Sequence, residues 1–188
     1  MQVLAREFDR VGINGSGQNN QPLGIAQDPN VPTTALGATG LVEINWPAVI
    51  ALETAVATAN ADFGSLAYLT SNNGRGIMKQ TLKVAGSNFP IYIWENDKQG
   101  VGEVNGYKAV ASQQVPSNLT KSSSTNLTAL LYGNFQSATY GLWSGMDVLA
   151  DPYTRGPAGG LLVYIYQDLD FQLRYEQSFA KIVDMPTS

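Results

Sequence analysis

A run of alternating apolar and polar residues near the C-terminal end of the chain limits the choice of fold more than any other segment. From Leu161 to Tyr175 all but one of the odd-numbered residues are apolar, whereas the even-numbered ones include Asp168, Asp170 and Arg174. Successive side chains of a β-strand point to opposite faces, so a period of two indicates a strand with one buried face. We therefore expect a long strand over residues 161–175 in a sheet that is covered on one side.

Helices and shorter strands accompany this run. Residues 3–11 have helical spacing and stop at Gly12, and Asn45 can cap a second helix that carries Pro47 in its first turn. This second helix should extend to about Asn60 and pack Val49, Ile50, Leu52 and Val56 on a sheet. A short helix should follow Asn72, and short strands are expected at 66–70, 91–94, 107–112, 129–132, 140–143 and 146–149. Helices packed on several separated strands predict an α+β fold rather than a βαβ repeat.

Three polar segments are predicted to be loops. Residues 12–40 are rich in Gly, Asn, Gln, Pro and Thr, which indicates an extended connector that is functional or is held by a neighbouring element. Residues 95–102 form a charged, Gly-rich loop in a hairpin that continues through a tight turn at residues 105–106. Residues 118–126 are polar and almost uncharged, and we expect an exposed, mobile tip there.

The composition excludes several chemistries. The 188 residues include no Cys and no His, so thiolate nucleophiles, disulfides, Cys- or His-ligated metals and Ser-His-Asp triads are absent. A net charge of −4 is opposite to the basic surface that nucleic-acid binding requires, so we expect no sequence-specific nucleic-acid partner. No segment approaches the roughly 20 apolar residues of a membrane span. We expect a soluble protein that is made in a cytoplasm and needs no cofactor or metal.

Two candidate sites remain, and each has a structural interpretation beside it. Asp168 and Asp170 would lie on the same face of one strand and could share a cation or act as an acid–base pair, but Arg174 on that face favours a solvated sheet surface. The glycines between Gly12 and Gly17 could approach a phosphate, yet they follow a helix and no Walker lysine comes after them. A helix-terminating turn accounts for them better, and we assign no catalytic, cofactor-binding or metal-binding residue.

The order of short motifs resembles the major capsid proteins of tailed phages, of the Hong Kong 97 type. The pattern of an aliphatic residue, Asn-Gly-x-Gly and then Pro-x-Gly-Ile is present at residues 13–17 and 22–25. Further stretches are similar in sequence to that family and occur in the same order, at residues 69–72, 79–83, 104–110, 115–116, 131–135, 145–153 and 178–180. Lys108 stands where many members have proline. The match extends from about residue 5 to residue 185.

The resemblance implies a wedge-shaped subunit with two lobes. Carried over, residues 1–41 and 144–188 would form a truncated peripheral lobe, with part of a spine helix and a long sheet, and residues 42–143 would form the axial lobe. Some members cross-link through a Lys on an extended loop, an Asn and a catalytic Glu. Gly159 and Gly160 occupy roughly the position of that Asn, so no catalytic residue is carried over.

The resemblance implies a structural protein of the virion that is made in a bacterial host and binds other copies of itself. Scaffold and portal proteins are the expected partners of the full-length protein. The helix at residues 3–11 has no capping residue ahead of it, so we expect a fragment that lacks shell-forming arms and stays monomeric or forms loose small oligomers. Two alternatives are an encapsulin-type compartment shell, which shares the fold, and a carboxylate-dependent hydrolase that uses Asp168 and Asp170.

Overall fold

The computed structural model describes residues 2–37, 42–84, 86 and 89–187. This part of the chain folds into three α-helices and eleven strands. The helices are α1 (Gln2–Asn14), α2 (Trp46–Thr58) and α3 (Asn72–Met78). The strands are β1 (Leu66–Thr70), β2 (Glu95–Lys98), β3 (Val101–Val104), β4 (Tyr107–Ala111), β5 (Leu119–Lys121), β6 (Ser124–Asn134), β7 (Ala138–Leu142), β8 (Asp147–Asp151), β9 (Leu162–Tyr166), β10 (Leu169–Leu173) and β11 (Phe179–Pro186).

A seven-stranded sheet is the centre of the fold. Its strands follow the order β11-β6-β1-β4-β3-β2, and β5 pairs with part of β6. Only the β1–β4 pair is parallel among these described strands, because α3 and the β2–β3 hairpin are inserted between its two members. The other two sheets are the two-stranded pairs β7–β10 and β8–β9. The predicted α+β class is confirmed.

The large sheet is buried on both faces, and β6 shows this most clearly. Leu130 and Tyr132 of β6 point into a core beneath α2, whereas Ala129 and Leu131 point into a second core on the opposite face. The second core is built from the connector after α1, from β10 and from Phe179 of β11. A strand buried on both faces has a nearly continuous apolar sequence, which is what residues 127–132 show.

Helix α2 forms as the sequence predicts. The Asn45 side chain accepts a hydrogen bond from the backbone N–H of Ala48 at 3.0 Å, and Pro47 lies in the first turn. Val49, Leu52 and Val56 are fully buried in the core between the helix and the sheet, whereas Ile50 is half-buried and does not belong to that core. The prediction that the apolar face of this helix packs on a sheet is confirmed for Val49, Leu52 and Val56 and is wrong for Ile50.

The prediction of a single strand over residues 161–175 is wrong. The segment forms two strands, and the face predicted to be buried is buried in only one of them. The run divides into β9 and β10, which pair with different strands, β8 and β7. Phe171 and Leu173 of β10 are buried as predicted, but Val163 and Ile165 of β9 remain 49% and 44% exposed. A period of two reports which side chains share a face of a strand. It does not report whether another layer covers that face.

The hairpin in the middle of the chain begins later than predicted. Residues 91–94 contain only an isolated bridge from Tyr92 to Leu82, and the segment expected to be a charged loop is the β2–β3 hairpin itself. Its turn has Gln99 and Gly100 at positive φ, 52° and 86°, the pair of conformations that a two-residue hairpin turn requires. The next turn, predicted at Asn105 and Gly106, forms as expected and joins β3 to β4.

The polar tip predicted at residues 118–126 is a hairpin formed by β5 and the start of β6, and six of its nine residues are exposed, as predicted. Ser124 is buried, and the Lys121 ammonium lies 2.5 Å from a carboxylate oxygen of Asp184 on β11. The strand pairing and this ion pair, whose partner lies far away in the chain, connect the exposed tip to the rest of the molecule.

Candidate assembly surfaces

The connector after α1 is anchored by a buried lysine. Lys181 of β11 is 5% exposed, and its ammonium donates hydrogen bonds to the carbonyl oxygens of Ala26 at 2.9 Å and Asp28 at 2.7 Å. Burial lowers the pKa of this ammonium, and the nearby Asp28 acts in the opposite direction. The Lys181 backbone also exchanges hydrogen bonds with Pro32 and Thr34. The prediction that a neighbouring element holds this segment is confirmed, and that element is β11.

A second anchor lies three residues further along β11. Both carboxylate oxygens of Asp184 accept hydrogen bonds from the backbone N–H of Leu36, at 3.1 and 3.3 Å. The Lys121 ammonium bridges the same carboxylate and the carbonyl oxygen of Gly37, at 2.5 and 2.6 Å. This group joins the connector, β11 and the β5–β6 hairpin. The last predicted connector residues, 38–40, lie outside the described residues.

The Gly-rich segment after α1 is a helix-terminating turn, as the structural interpretation predicts. Helix α1 continues two residues beyond the predicted stop at Gly12, and the N–H of Gly15 bonds to the carbonyl oxygen of Val11 at 2.8 Å. A side chain at Gly15 would meet the carbonyl oxygen of Pro22 at 2.1 Å, and one at Gly24 would meet the Gly15 nitrogen at 2.4 Å. The glycines allow two backbone segments to touch. They do not frame a cradle for phosphate.

Beneath α2, tyrosines and a glutamate form a connected group. The Tyr68 hydroxyl donates to Glu53 Oε1 at 2.5 Å, and the Asn105 side chain donates to both Glu53 oxygens. The rings of Tyr68 and Tyr132 have centroids 4.5 Å apart, and Tyr107 meets Tyr132 edge to face at 5.4 Å. Burial raises the pKa of Tyr68 and of Tyr132 above the ordinary tyrosine range, and the Glu53 carboxylate raises that of Tyr68 further. The group links Glu53 of α2 to β1 and to the turn between β3 and β4.

A charged cluster joins α3 to the β2–β3 hairpin. Asp97 of β2 lies 2.9 Å from the Lys79 ammonium and 3.7 Å from the Arg75 guanidinium, and it accepts from the Trp94 indole N–H at 3.1 Å. The Lys79 hydrogen bond holds the pKa of the Asp97 carboxyl below its usual range. Lys98 and Glu103 of the same hairpin are exposed, whereas the carboxylate of Asp97 docks the hairpin onto α3.

The two candidate catalytic carboxylates are not presented by one strand. Asp168 lies in the link between β9 and β10, where its backbone N–H donates to the Ser144 hydroxyl and its carbonyl oxygen accepts from Trp143. Asp170 lies in β10 and accepts from the N–H of Phe171. Asp170 lines a cavity of about 470 Å³ together with Trp143, whereas Asp168 does not line it. Both are exposed.

Within the described residues, no group of three or more Asp or Glu side chains is arranged to hold a metal ion. The helices found in the described part of the chain are all too short or too polar to cross a membrane. An apolar cavity of about 520 Å³ lies between the end of α1 and the large sheet, with Ile13, Leu69 and Phe171 among its lining residues. The lining of this cavity also includes the charged residues Asp9 and Lys108.

An exposed apolar ribbon is the feature that sequence reasoning missed. Strands β8 and β9 pair only with each other among the described strands, and their apolar side chains remain open to solvent. Tyr164 and Tyr166 stack on one of its faces, with ring centroids 6.1 Å apart. Helical or strand periodicity cannot reveal an uncovered face. The high apolar content of both strands, without the usual polar alternation in residues 161–166, was the available signal.

A family model and solved structures both match this chain. The sequence model described as the phage capsid family matches residues 2–184. The fold resembles the capsid of an empty GTA particle with a TM-score of 0.68, at 16% identity, over 98% of this chain and 64% of that one. The chain therefore belongs to the phage capsid family, and the predicted Hong Kong 97-type fold is confirmed.

A curated relative gives a more specific match than the family does. The chain is 31% identical over 177 residues to the major capsid protein of Halomonas phage phiHAP-1. That match spans 94% of this chain but only 26% of the relative. The holo-SrpI encapsulin complex from Synechococcus elongatus is also similar in fold, with a TM-score of 0.54 at 14% identity over 100% of this chain and 63% of that one. The family match and the phage relative favour the phage capsid interpretation over the encapsulin alternative.

Proposed function

We propose that this chain is a shell-forming part of a phage major capsid protein and acts through repeated contacts between identical subunits. The observation that carries the proposal is the family match over residues 2–184, together with the 31% identity to a phage major capsid protein. The large sheet, which is buried on both faces, supports a structural role.

The proposal includes the division into lobes that the resemblance implies. Residues 42–143 would form the axial lobe, and residues 1–41 and 144–188 would form the peripheral lobe. Strand β11 crosses this boundary, because it belongs to the second segment and is hydrogen-bonded to β6 of the first. The Lys181 and Asp184 anchors cross it as well. The two lobes would therefore share one sheet.

The location and partners follow from the same proposal. The protein would be made in the bacterial host and reside in the virion, where other copies of the same subunit are its neighbours. Scaffold and portal proteins remain expected partners of the full-length protein.

Mass spectrometry of purified particles tests the proposal. Phage particles from a culture that carries this gene should yield peptides from residues 2–184 at the abundance of the main particle protein. Host proteins that copurify with the particles provide the background level. Peptides at or below that background would contradict the proposal.

A further inference from the structure

The chain contains three Asn-Gly pairs, at residues 14–15, 73–74 and 105–106. In such a pair the backbone nitrogen of the glycine can attack the side-chain amide carbon of the asparagine, because the glycine has no side chain to obstruct the approach. The reaction requires a glycine N–H without a hydrogen-bond partner and a backbone that can turn. The three pairs differ in both respects.

The glycine nitrogens of the first two pairs are already bonded. The Gly15 N–H donates to the carbonyl oxygen of Val11 at 2.8 Å, and the Gly74 N–H donates to the Ser71 hydroxyl at 3.0 Å. Both glycines are buried, and a Cβ on Gly74 would lie 2.3 Å from the Thr70 hydroxyl oxygen. Neither backbone can turn without losing a hydrogen bond and close packing.

The third pair is open to solvent. Asn105 and Gly106 form the exposed turn between β3 and β4, with φ angles of 52° and 79°. A Cβ on Gly106 would have no atom within 4 Å. Among the described residues, no hydrogen bond is found for the Gly106 N–H. The glycine nitrogen of this pair is therefore available for attack, unlike those of the other two pairs.

Helix α2 restrains the side chain of Asn105. The amide nitrogen donates to both carboxylate oxygens of Glu53, at 2.8 and 3.1 Å. Ring closure forms a nearly planar five-membered ring, so Asn105 must leave both its staggered side-chain conformation and the backbone conformation of the turn. That movement takes the amide away from Glu53 and breaks charge-assisted hydrogen bonds. The contact with α2 is thus the restraint on this pair.

We propose that Asn105 is a deamidation site of the folded chain and that Glu53 sets the rate of the reaction. The Gly106 nitrogen attacks Cγ of Asn105, so that a new C–N bond forms and the bond from Cγ to Nδ2 breaks. The proton of the Gly106 N–H passes through water to the departing nitrogen, which leaves as ammonia. A water molecule then adds to one of the two carbonyl carbons of the cyclic imide and opens the ring, which gives aspartate or isoaspartate at position 105.

The product acts on the contact that restrained the asparagine. An aspartate carboxylate at position 105 would face Glu53 where an amide now donates, and two carboxylates at that distance repel each other. An isoaspartate adds a methylene group to the backbone of a two-residue turn, which disturbs the pairing of β3 with β4. Glu53 also accepts a hydrogen bond from the Tyr68 hydroxyl. Either product therefore loosens the junction between α2 and the sheet.

Peptide mapping by mass spectrometry compares the three pairs in one sample. The purified chain is incubated in mildly alkaline buffer and digested in acid, where cyclisation is slow, and the deamidated fraction is followed at positions 14, 73 and 105. We expect deamidation at position 105 to be at least tenfold faster than at the other two. In the chain unfolded by guanidinium the three rates should agree within about threefold, since each asparagine precedes a glycine. A folded-state rate at position 105 no higher than at 14 or 73 would overturn the proposal.

Glu53→Ala removes the restraint, and Tyr68→Phe is the matched control, since it removes the other hydrogen bond of the same carboxylate. We expect Glu53→Ala to raise the rate at position 105 at least threefold and to leave the rates at 14 and 73 within twofold. Tyr68→Phe should leave the rate at position 105 within twofold. An unchanged rate at 105 in Glu53→Ala, or an equal rise at all three positions, would overturn the role of Glu53.

The variant Asn105→Asp reproduces one product in every molecule. At neutral pH we expect its midpoint of thermal unfolding to fall, and the fall to be at least halved in the Glu53→Gln background, where no second carboxylate faces position 105. The backbone preference of the new residue is the same in both backgrounds, so it cancels in this comparison. An equal fall in the two backgrounds would contradict the repulsion. The proposed function is judged separately, by the presence of the protein in particles.

Discussion

At the scale of single residues, Lys181 decides the position of the connector. Replacing it with Met keeps the length of the side chain and leaves the carbonyl oxygens of Ala26 and Asp28 without their donor. Losing partners for buried acceptors costs about 1–3 kcal/mol. We expect the free energy of unfolding of Lys181→Met, measured in urea, to fall by about that amount.

Lys98 of β2 provides the matched control, because it is exposed and Lys98→Met should change the same free energy by less than about 0.5 kcal/mol. An equal loss in the two variants would show that the Lys181 hydrogen bonds contribute nothing specific to stability.

Because of Tyr68, we expect the folded protein to lose stability in alkaline solution. Its folded-state pKa is raised by burial and by Glu53, whereas in the unfolded chain it is near 10. The contribution is fully present below pH 10 and is lost as the pH rises further, because only the unfolded chain can then release the proton. One such group changes the free energy of unfolding by up to about 1.4 kcal/mol per pH unit.

Denaturant unfolding between pH 9 and pH 11 measures this effect. Tyr68→Phe should have a shallower decline than the unmodified chain above pH 10, because it has lost one titrating group, although it also loses the hydrogen bond to Glu53. Tyr132, whose pKa is also raised, accounts for part of the decline that remains. Parallel curves for the two proteins would contradict the assignment.

At the scale of elements, α2 depends on its buried face. Leu52 is fully buried in the core between this helix and the sheet, so Leu52→Ala should lower the free energy of unfolding by about 2–5 kcal/mol. Ile50 lies on the same helix but is half-buried, and Ile50→Ala should cost clearly less. Chemical denaturation measures both. Equal losses would mean that Leu52 is not the anchor of the helix.

Variants at the junction of β9 and β10 test the alternative that the protein is a hydrolase. Asp168 and Asp170 are exposed, so the double variant Asp168→Asn with Asp170→Asn should change stability by less than about 0.5 kcal/mol. Among the described residues, the hydrogen bond found for these two side chains is the one that Asp170 accepts from Phe171 on the same strand. Titration with Mg²⁺ or Ca²⁺, followed by thermal unfolding, should show no difference between this variant and the unmodified chain. A cation-dependent stabilisation that the variant loses would support a site at this pair.

At the scale of the whole molecule, the prediction concerns assembly. The chain spans only 26% of its curated phage relative, and interfaces below about 1,000 Å² are transient. Light scattering should therefore report a monomer at low concentration and loose small oligomers as the concentration rises. Closed particles of capsid size formed by this chain alone would contradict the prediction and would show that 188 residues contain every contact that a shell needs.

The sequence alone determined those parts of the molecule whose causes are local. The Asn45 cap and Pro47 predicted where α2 begins, the Asn105-Gly106 turn predicted the β3–β4 hairpin, and the Gly-rich segment predicted the end of α1. Each follows from the conformational preferences of a few adjacent residues. The family resemblance followed from the order of such local motifs, and the match over residues 2–184 confirms it.

Only the tertiary structure decided which surfaces are covered. Residues 118–126 were predicted to be mobile, because nothing near them indicates that Lys121 meets Asp184, 63 residues further along the chain. The alternation over residues 161–175 predicted one buried face, yet β10 is covered by the core and β9 is exposed. Burial is a property of the partner as much as of the strand. A pattern within one segment therefore cannot specify it, and the exposed apolar ribbon of β8 and β9 became visible only once the strands had been placed.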